Sequence, residues 1–383
     1  MRPESEADLA ELIKAANGPL RVRGGGTRPI GAELDGSVLE TGGLSGVTLY
    51  EPGALTVVVQ AGTPVAELEQ VLAAEGQRLP FEPMDHRALL GTSGTPTVGG
   101  MVAGNVSGPR RIQTGACRDV MLGVRFVDGN GTILKNGGRV MKNVTGYDLV
   151  KLMAGSWGTL GVLTEVAFKV LAEPETEATL VFRGKEPAAG VAALCAALGT
   201  PFDITGASHL EAGLDGDSAR TQVRIEGMEA SVSYRVKALQ GGVLAGFDAV
   251  TGEDSARLWQ EVRDVTPFAG HEGAVWKVSV KPGDAPALTA ALRAQGLGFK
   301  AMYDWGGGLI WLLIPEAGDA GAARIRQEVA RLGGHATLIR GSADLRARVP
   351  VFQPQPAPIA AIEAGLRQRF DPKGVLNPGL MAG

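Results

Sequence analysis

Apolar positions recur with two different periods along this chain, and the periods mark its elements. Leu9, Leu12, Ile13 and Ala16 share one face of a helix over 4–16. Strand patterns follow at 20–22 and 56–59, then a helix over 65–75 beginning just after Pro64. Further strands are expected at 120–127, 132–134 and 163–170, the first two joined by the turn Asp128-Gly129-Asn130-Gly131. The apolar run 309–314 reads as a buried strand.

After Glu173-Pro174-Glu175 the pattern changes. Strand 178–183, helix 187–198, strands 203–209 and 220–226, helix 229–239 and strand 242–247 give the order β-α-β-β-α-β. A helix over 253–264 comes next. Strand 274–281, helix 284–295, strands 298–303 and 308–314, helix 318–332 and strand 335–340 then repeat that order. The halves share pattern, with no evident identity, and predict an α+β unit with an antiparallel sheet and helices on one face. A proline-rich connector over 350–358, a short helix over 359–370 and a tail from Asp371 close the chain. Three parts are therefore expected: 1–172, 173–345 and 346–383.

Composition narrows the partners. Lys and Arg number 37 against 41 Asp and Glu, a net charge of −4, which argues against nucleic acid as a partner. The chain begins with neither a basic start nor an apolar h-region, and no apolar run approaches a membrane span. A cytoplasmic protein is expected, with peripheral membrane association through a complex left open. Cys117 and Cys195 form no C-x-x-C pair and read as reduced, buried thiols.

Glycine is the unusual count, at 56. Arg21-Val22-Arg23-Gly24-Gly25-Gly26-Thr27-Arg28 runs a strand into three glycines. Consecutive N–H groups there could cradle a pyrophosphate, and a plain turn is the competing reading. The stretch 91–111 is small and polar like a linker, yet Val98, Met101, Val102 and Val106 sit at helical spacing, which favours a helical turn and loops against a flat ligand. In 137–165, residues 147–154 read as helix and Gly155 to Gly161 as a loop into the next strand. For Tyr147, Asp148 and Lys151, local capping and a solvated helix face are the simpler reading.

In this order the three segments resemble the FAD-binding domain of the vanillyl-alcohol oxidase / para-cresol methylhydroxylase superfamily. The tail Phe370-Asp371-Pro372-Lys373-Gly374-Val375-Leu376-Asn377-Pro378-Gly379 is similar to the closing motif of its lactate- and glycolate-oxidising branch. Gly108-Pro109-Arg110-Arg111, Arg118-Asp119, the run 138–148 and the run 335–340 resemble the smaller FAD-binding subunit of bacterial glycolate oxidases. The resemblance implies a two-lobed FAD-binding domain plus an α+β cap.

It also implies site roles. Arg23, Gly24, Gly25, Gly26, Thr27 and Arg28 would hold the pyrophosphate of FAD. Thr97, Gly99, Gly100, Ala103, Asn105, Ser107, Gly108 and Arg111 would line the flavin and ribityl chain. Gly161 and Val162 would contact FAD through backbone, and Asn377 would lie near the flavin ring. Thr27 stands where some relatives carry the histidine that attaches FAD, so a non-covalent cofactor is expected. Trp157 stands where many carry Glu. His86, His209, His271 and His335 are scattered, so no metal site is expected. Arg340 is the one candidate carboxylate clamp, with a surface salt bridge as the favoured alternative, and no catalytic base can be named. The implied partners are a larger flavin-containing glycolate oxidase subunit, an iron–sulfur subunit and a small 2-hydroxy acid. A self-sufficient hydroxy-acid or alcohol dehydrogenase and a non-catalytic interaction subunit remain the alternatives.

Overall fold

The computed structural model describes residues 1–139, 146–214 and 216–381. The run 140–145, part of the segment expected to follow the hairpin, lies outside them.

Helix Glu6–Ala15 opens where Ser5 accepts a hydrogen bond from the Asp8 N–H at 3.1 Å, and it buries Leu9, Ala10 and Ile13. Strands β1 (Leu20–Arg23) and β2 (Ser37–Glu40) pair in parallel, and Leu376 of the tail bridges to Leu20. Next come β3 (Val47–Glu51), β4 (Thr56–Gln60), β5 (Gln77–Arg78), β6 (Met121–Val127), β7 (Ile133–Gly137), β8 (Val162–Lys169) and β9 (Leu171–Ala172). Among the described residues, five of these form an antiparallel sheet in the order β3-β4-β8-β6-β7. The β6–β7 turn is fixed by Asp128, whose Oδ1 accepts the N–H groups of Asn130 at 2.9 Å and Thr132 at 2.8 Å.

The second layer contains β10 (Thr176–Arg183), β11 (Gly206–Leu210), β12 (Arg220–Gly227), β13 (Asp248–Thr251), β14 (Ala274–Ser279), β15 (Lys300–Asp304), β16 (Leu309–Ile314) and β17 (His335–Arg340). Its order, β13-β10-β12-β11-β15-β16-β14-β17, is two ferredoxin-like units joined edge to edge through β11 and β15. The repeated pattern thus becomes one continuous sheet.

Two expectations change. The run 242–247 is a turn, and the strand starts at Asp248, because Leu244 and Phe247 turn inward three residues apart instead of alternating. Nor do all helices share one face. Helices Pro187–Leu198 and Glu229–Gln240 pack on Leu180, Val223 and Ile225. Helix Gly252–Asp264 lies on the other face, where Trp259 donates to Thr179 at 2.7 Å and stacks under Arg224. That face meets the N-terminal layer. Cys195 is half-buried, where full burial was expected.

Candidate functional site

The end of β1 delivers Gly25 into direct backbone contact with the loop before helix Val98–Ala103, and sets Gly24 against the Thr97 side chain. A Cβ on Gly25 would lie 1.5 Å from the Thr95 oxygen, and one on Gly94 would lie 1.6 Å from the Gly25 oxygen. A Cβ on Gly24 would meet Thr97 Oγ1 at 2.4 Å, and Gly26 has φ +70°. The first two glycines are therefore required by the neighbouring loop, a reason distinct from ligand approach. Thr97 caps the helix by accepting from Gly100 N–H at 3.3 Å, and Gly99 rests on Ala61.

These loops wall a half-open cavity of about 890 Å³. That volume is in the upper part of the roughly 300–1,000 Å³ range of ligand sites. Arg23, Gly24, Gly25, Gly26, Thr27, Arg28, Thr97, Gly99, Gly100, Ala103, Gly161, Val162 and Asn377 all line it. The backbone N–H groups from Gly24 to Arg28 have no acceptor among the described residues. Five successive free donors suit a pyrophosphate.

Arg28 strengthens that fit. One of its guanidinium nitrogens donates to the Gly100 carbonyl, while its buried Nε has no partner among the described residues. Burial pushes this guanidinium down to about 10, a sign of a cation held without its counter-charge. A diphosphate in the cavity would supply it.

Asn377 closes the cavity from the far end of the chain. Its backbone is left-handed at φ +43°, its Oδ1 accepts the Val22 N–H at 2.7 Å, and its Nδ2 donates to the Trp157 carbonyl at 2.8 Å. Both the oxygen and the nitrogen of the amide are engaged by backbone groups, so Asn377 shapes the wall by position. Trp157, also at positive φ, lines the cavity and meets Phe352 edge-on at 5.5 Å.

Four expected site residues do not line this cavity. Past the helix the chain turns at Asn105, φ +44°, towards the eight-stranded layer. Asn105 accepts the Arg118 N–H and Ser107 accepts the Cys117 N–H, so both serve the local loop. The Gly108 carbonyl accepts from Trp305 Nε1 at 3.0 Å, and Arg111 stacks on the Trp305 ring at 4.4 Å. Arg340 corrects a further expectation. Its guanidinium donates to the carbonyls of Gly273, Leu89, Phe268 and His271, so it ties loops together and, among the described residues, makes neither the expected surface salt bridge nor a free carboxylate clamp.

A tie between the layers was not foreseen. Arg224 grips Glu82 with two bonds of 2.8 Å, while Arg110 and Arg78 reach Glu226 at 2.9 Å and 2.7 Å. Burial alone would raise the Glu82 carboxyl, but Arg224 and Arg110 outweigh it and hold it down to about 2.

A family model described as an FAD binding domain matches residues 1–137. Glycolate oxidase subunit GlcE of Escherichia coli (strain K12) is 34% identical over 98% of this chain and 97% of its own length. Glycolate oxidase subunit GlcD of Bacillus subtilis (strain 168) is 36% identical over 43% of this chain and 34% of its own. Alkyldihydroxyacetonephosphate synthase shares the fold at a TM-score of 0.69, with 18% identity over 99% of this chain and 75% of that one. Likeness from end to end at this identity places the chain with one of them: it belongs to the family of glycolate oxidase subunit GlcE.

Proposed function

We propose that this chain is the FAD-binding subunit of a glycolate oxidase complex, supporting oxidation of glycolate to glyoxylate. The cofactor is FAD. When bound, it supplies a two-electron acceptor for oxidation of a carbon–hydrogen bond. Residues 1–172 and 346–383 make the FAD-binding unit and 173–345 the cap. Gly24 to Arg28 hold the pyrophosphate; Thr97, Gly99, Gly100, Ala103, Gly161, Val162 and Asn377 shape the rest of the site.

The observation that carries this reading is the row of five free N–H donors beside Arg28, whose buried Nε has no partner among the described residues, in a relative of GlcE. The partners are a larger flavin subunit and an iron–sulfur subunit. No helix among the described residues is long and apolar enough to cross a membrane. The cofactor is held without a covalent bond, since the Thr27 hydroxyl cannot form a histidyl link.

Purification from the native host should yield yellow protein together with two partner chains. Acid precipitation should release the flavin to the supernatant. Colourless protein that takes up no added FAD sinks the reading, and flavin retained in the pellet sinks the non-covalent part. Anaerobic bleaching of the isolated chain by glycolate would favour a self-sufficient dehydrogenase.

A further inference from the structure

Register collects a second group of side chains on the sheet face that meets the N-terminal layer. Lys277 of β14 pairs with Trp311 of β16, which pairs with Met302 of β15; on β17, Lys277 pairs with Thr337. Strand partners share a face, so Lys277 and Trp311 stand side by side. The Lys277 ammonium lies 5.7 Å from the centre of the Trp305 ring and 5.9 Å from that of Trp311. From the opposite layer Arg111 reaches the same Trp305 ring at 4.4 Å.

Two cations therefore approach one indole from two layers. Neither side chain has a hydrogen bond or an ion pair with any described residue, although both are partly buried. Aromatic faces compensate a desolvated cation only in part. The two charges also repel: burial first, and Arg111 next, pull the Lys277 ammonium down to about 8. Asp304 is the carboxyl whose charge acts on Lys277, but it makes no ion pair with it, and its Oδ1 accepts the Trp305 N–H at 2.7 Å. Burial raises that carboxyl to about 7, so it is a poor counter-ion at neutral pH.

The group adjoins the large cavity. Arg28 on the cavity wall and Lys277 both act on His86, which burial first and these cations next keep neutral. Val351 accepts from Leu338 of β17 at 2.9 Å, and the adjacent Phe352 packs on Trp157. A small ligand at Lys277 would thus sit beside the space assigned to the cofactor.

We propose that Arg111 and Lys277 together hold the carboxylate of a short-chain hydroxy or oxo acid at the seam between the layers, with Trp305 and Trp311 as the apolar wall. An anion between them would remove their repulsion and give both their missing partner, as a guanidinium and an ammonium do at a carboxylate. The inference rests on the oxidoreductase reading for the identity of the acid, while the anion site itself follows from the two unpaired cations.

The test is calorimetric titration of the flavin-loaded full chain with glycolate and with oxalate, followed in parallel by tryptophan fluorescence. Glycolamide, which keeps the shape and loses the charge, is the control. Saturable binding of both acids is expected, with none of the amide. Lys277→Gln and Arg111→Gln should each weaken binding at least about tenfold, and Lys277→Arg should restore most of it. Acid binding should also fall as pH rises through about 8, when Lys277 loses its proton near Arg111, Asp304, His86 and His335. Parent protein that binds neither acid, equal binding of glycolamide, or glutamine variants that bind like the parent would each overturn the proposal. Flavin content is read independently from visible absorbance, so loss of the cofactor reading and loss of the anion site give different results.

Discussion

A methyl group on Gly25 would fall 1.5 Å from the Thr95 carbonyl oxygen, a backbone atom that cannot swing aside. Gly25→Ala must therefore push the loop that carries the free N–H row away from the loop before helix Val98–Ala103. The expected result is at least about tenfold weaker FAD retention and a melting temperature several degrees lower, read from flavin absorbance and thermal unfolding. Gly26→Ala is the matched control: its strain is a left-handed backbone costing about 1 kcal/mol, and the atoms it meets belong to the mobile end of Arg23. Equal losses from both variants would contradict this ranking. Asp304 makes a second prediction at this scale. Burial lifts its carboxyl to about 7 from an unfolded value of about 3.9, so the folded state binds the extra proton. Stability is thus greatest below pH 4 and declines as pH rises through 7. Asp304→Asn keeps an oxygen for the Trp305 N–H and cannot titrate. It should be more stable than the parent at pH 8, by on the order of 2–4 kcal/mol, with little difference at pH 4.5. A constant difference across that range in pH-dependent melting would refute the assignment.

Elements show which parts of this molecule can be read in advance. The glycine loops were legible because close backbone contact and positive φ restrict residue type locally. The β-α-β-β-α-β pattern was legible because alternation and helical spacing are local too, but its fusion through β11 and β15 into one sheet was not. The run Val243-Leu244-Ala245-Gly246-Phe247 has strand composition, yet it folds as a turn whose Leu244 and Phe247 are buried. Arg111 was expected to line the flavin and ribityl chain because the family resemblance implied it. Its actual neighbour, Trp305, is far along the chain, and only the strand register could bring them together. The tail was legible as a motif, and its geometry supplies the reason. Asn377 satisfies the Val22 N–H and the Trp157 carbonyl at once while holding φ +43°. Asn377→Ala leaves both without a partner and costs about 1–3 kcal/mol. Faster loss of FAD on dialysis than from the parent is the expected readout; unchanged retention would show that the tail does not shape the cavity.

Across the whole molecule, the two layers meet through charges as well as through apolar side chains. Glu82, Arg110 and Arg78 come from the N-terminal layer, and Arg224 and Glu226 from the eight-stranded one. Such a network contributes little over an apolar contact of the same shape, yet removing one member leaves buried charges unpaired, at a cost of about 3–5 kcal/mol. Glu82→Gln does this, since an amide cannot balance both Arg224 and Arg110. The pH dependence gives an independent check. Burial opposes ionisation of Glu82, but the arginines prevail and set it at about 2, against about 4.3 for an unfolded glutamate. Its stabilisation is fully present above pH 4.3 and is lost as pH falls towards 2. Acid unfolding of the parent should therefore steepen between pH 4.5 and about 2.5. In Glu82→Gln the curve should start lower at pH 7 and be flatter through that window. If the variant unfolds with the parent's midpoint and the parent's acid slope, the layers are held by their apolar seam and the ion pairs only decorate it. If it follows the expected course, the seam that carries Trp305, Arg111 and Lys277 is set by this network, and Glu82→Gln should also weaken oxalate binding without touching either cation.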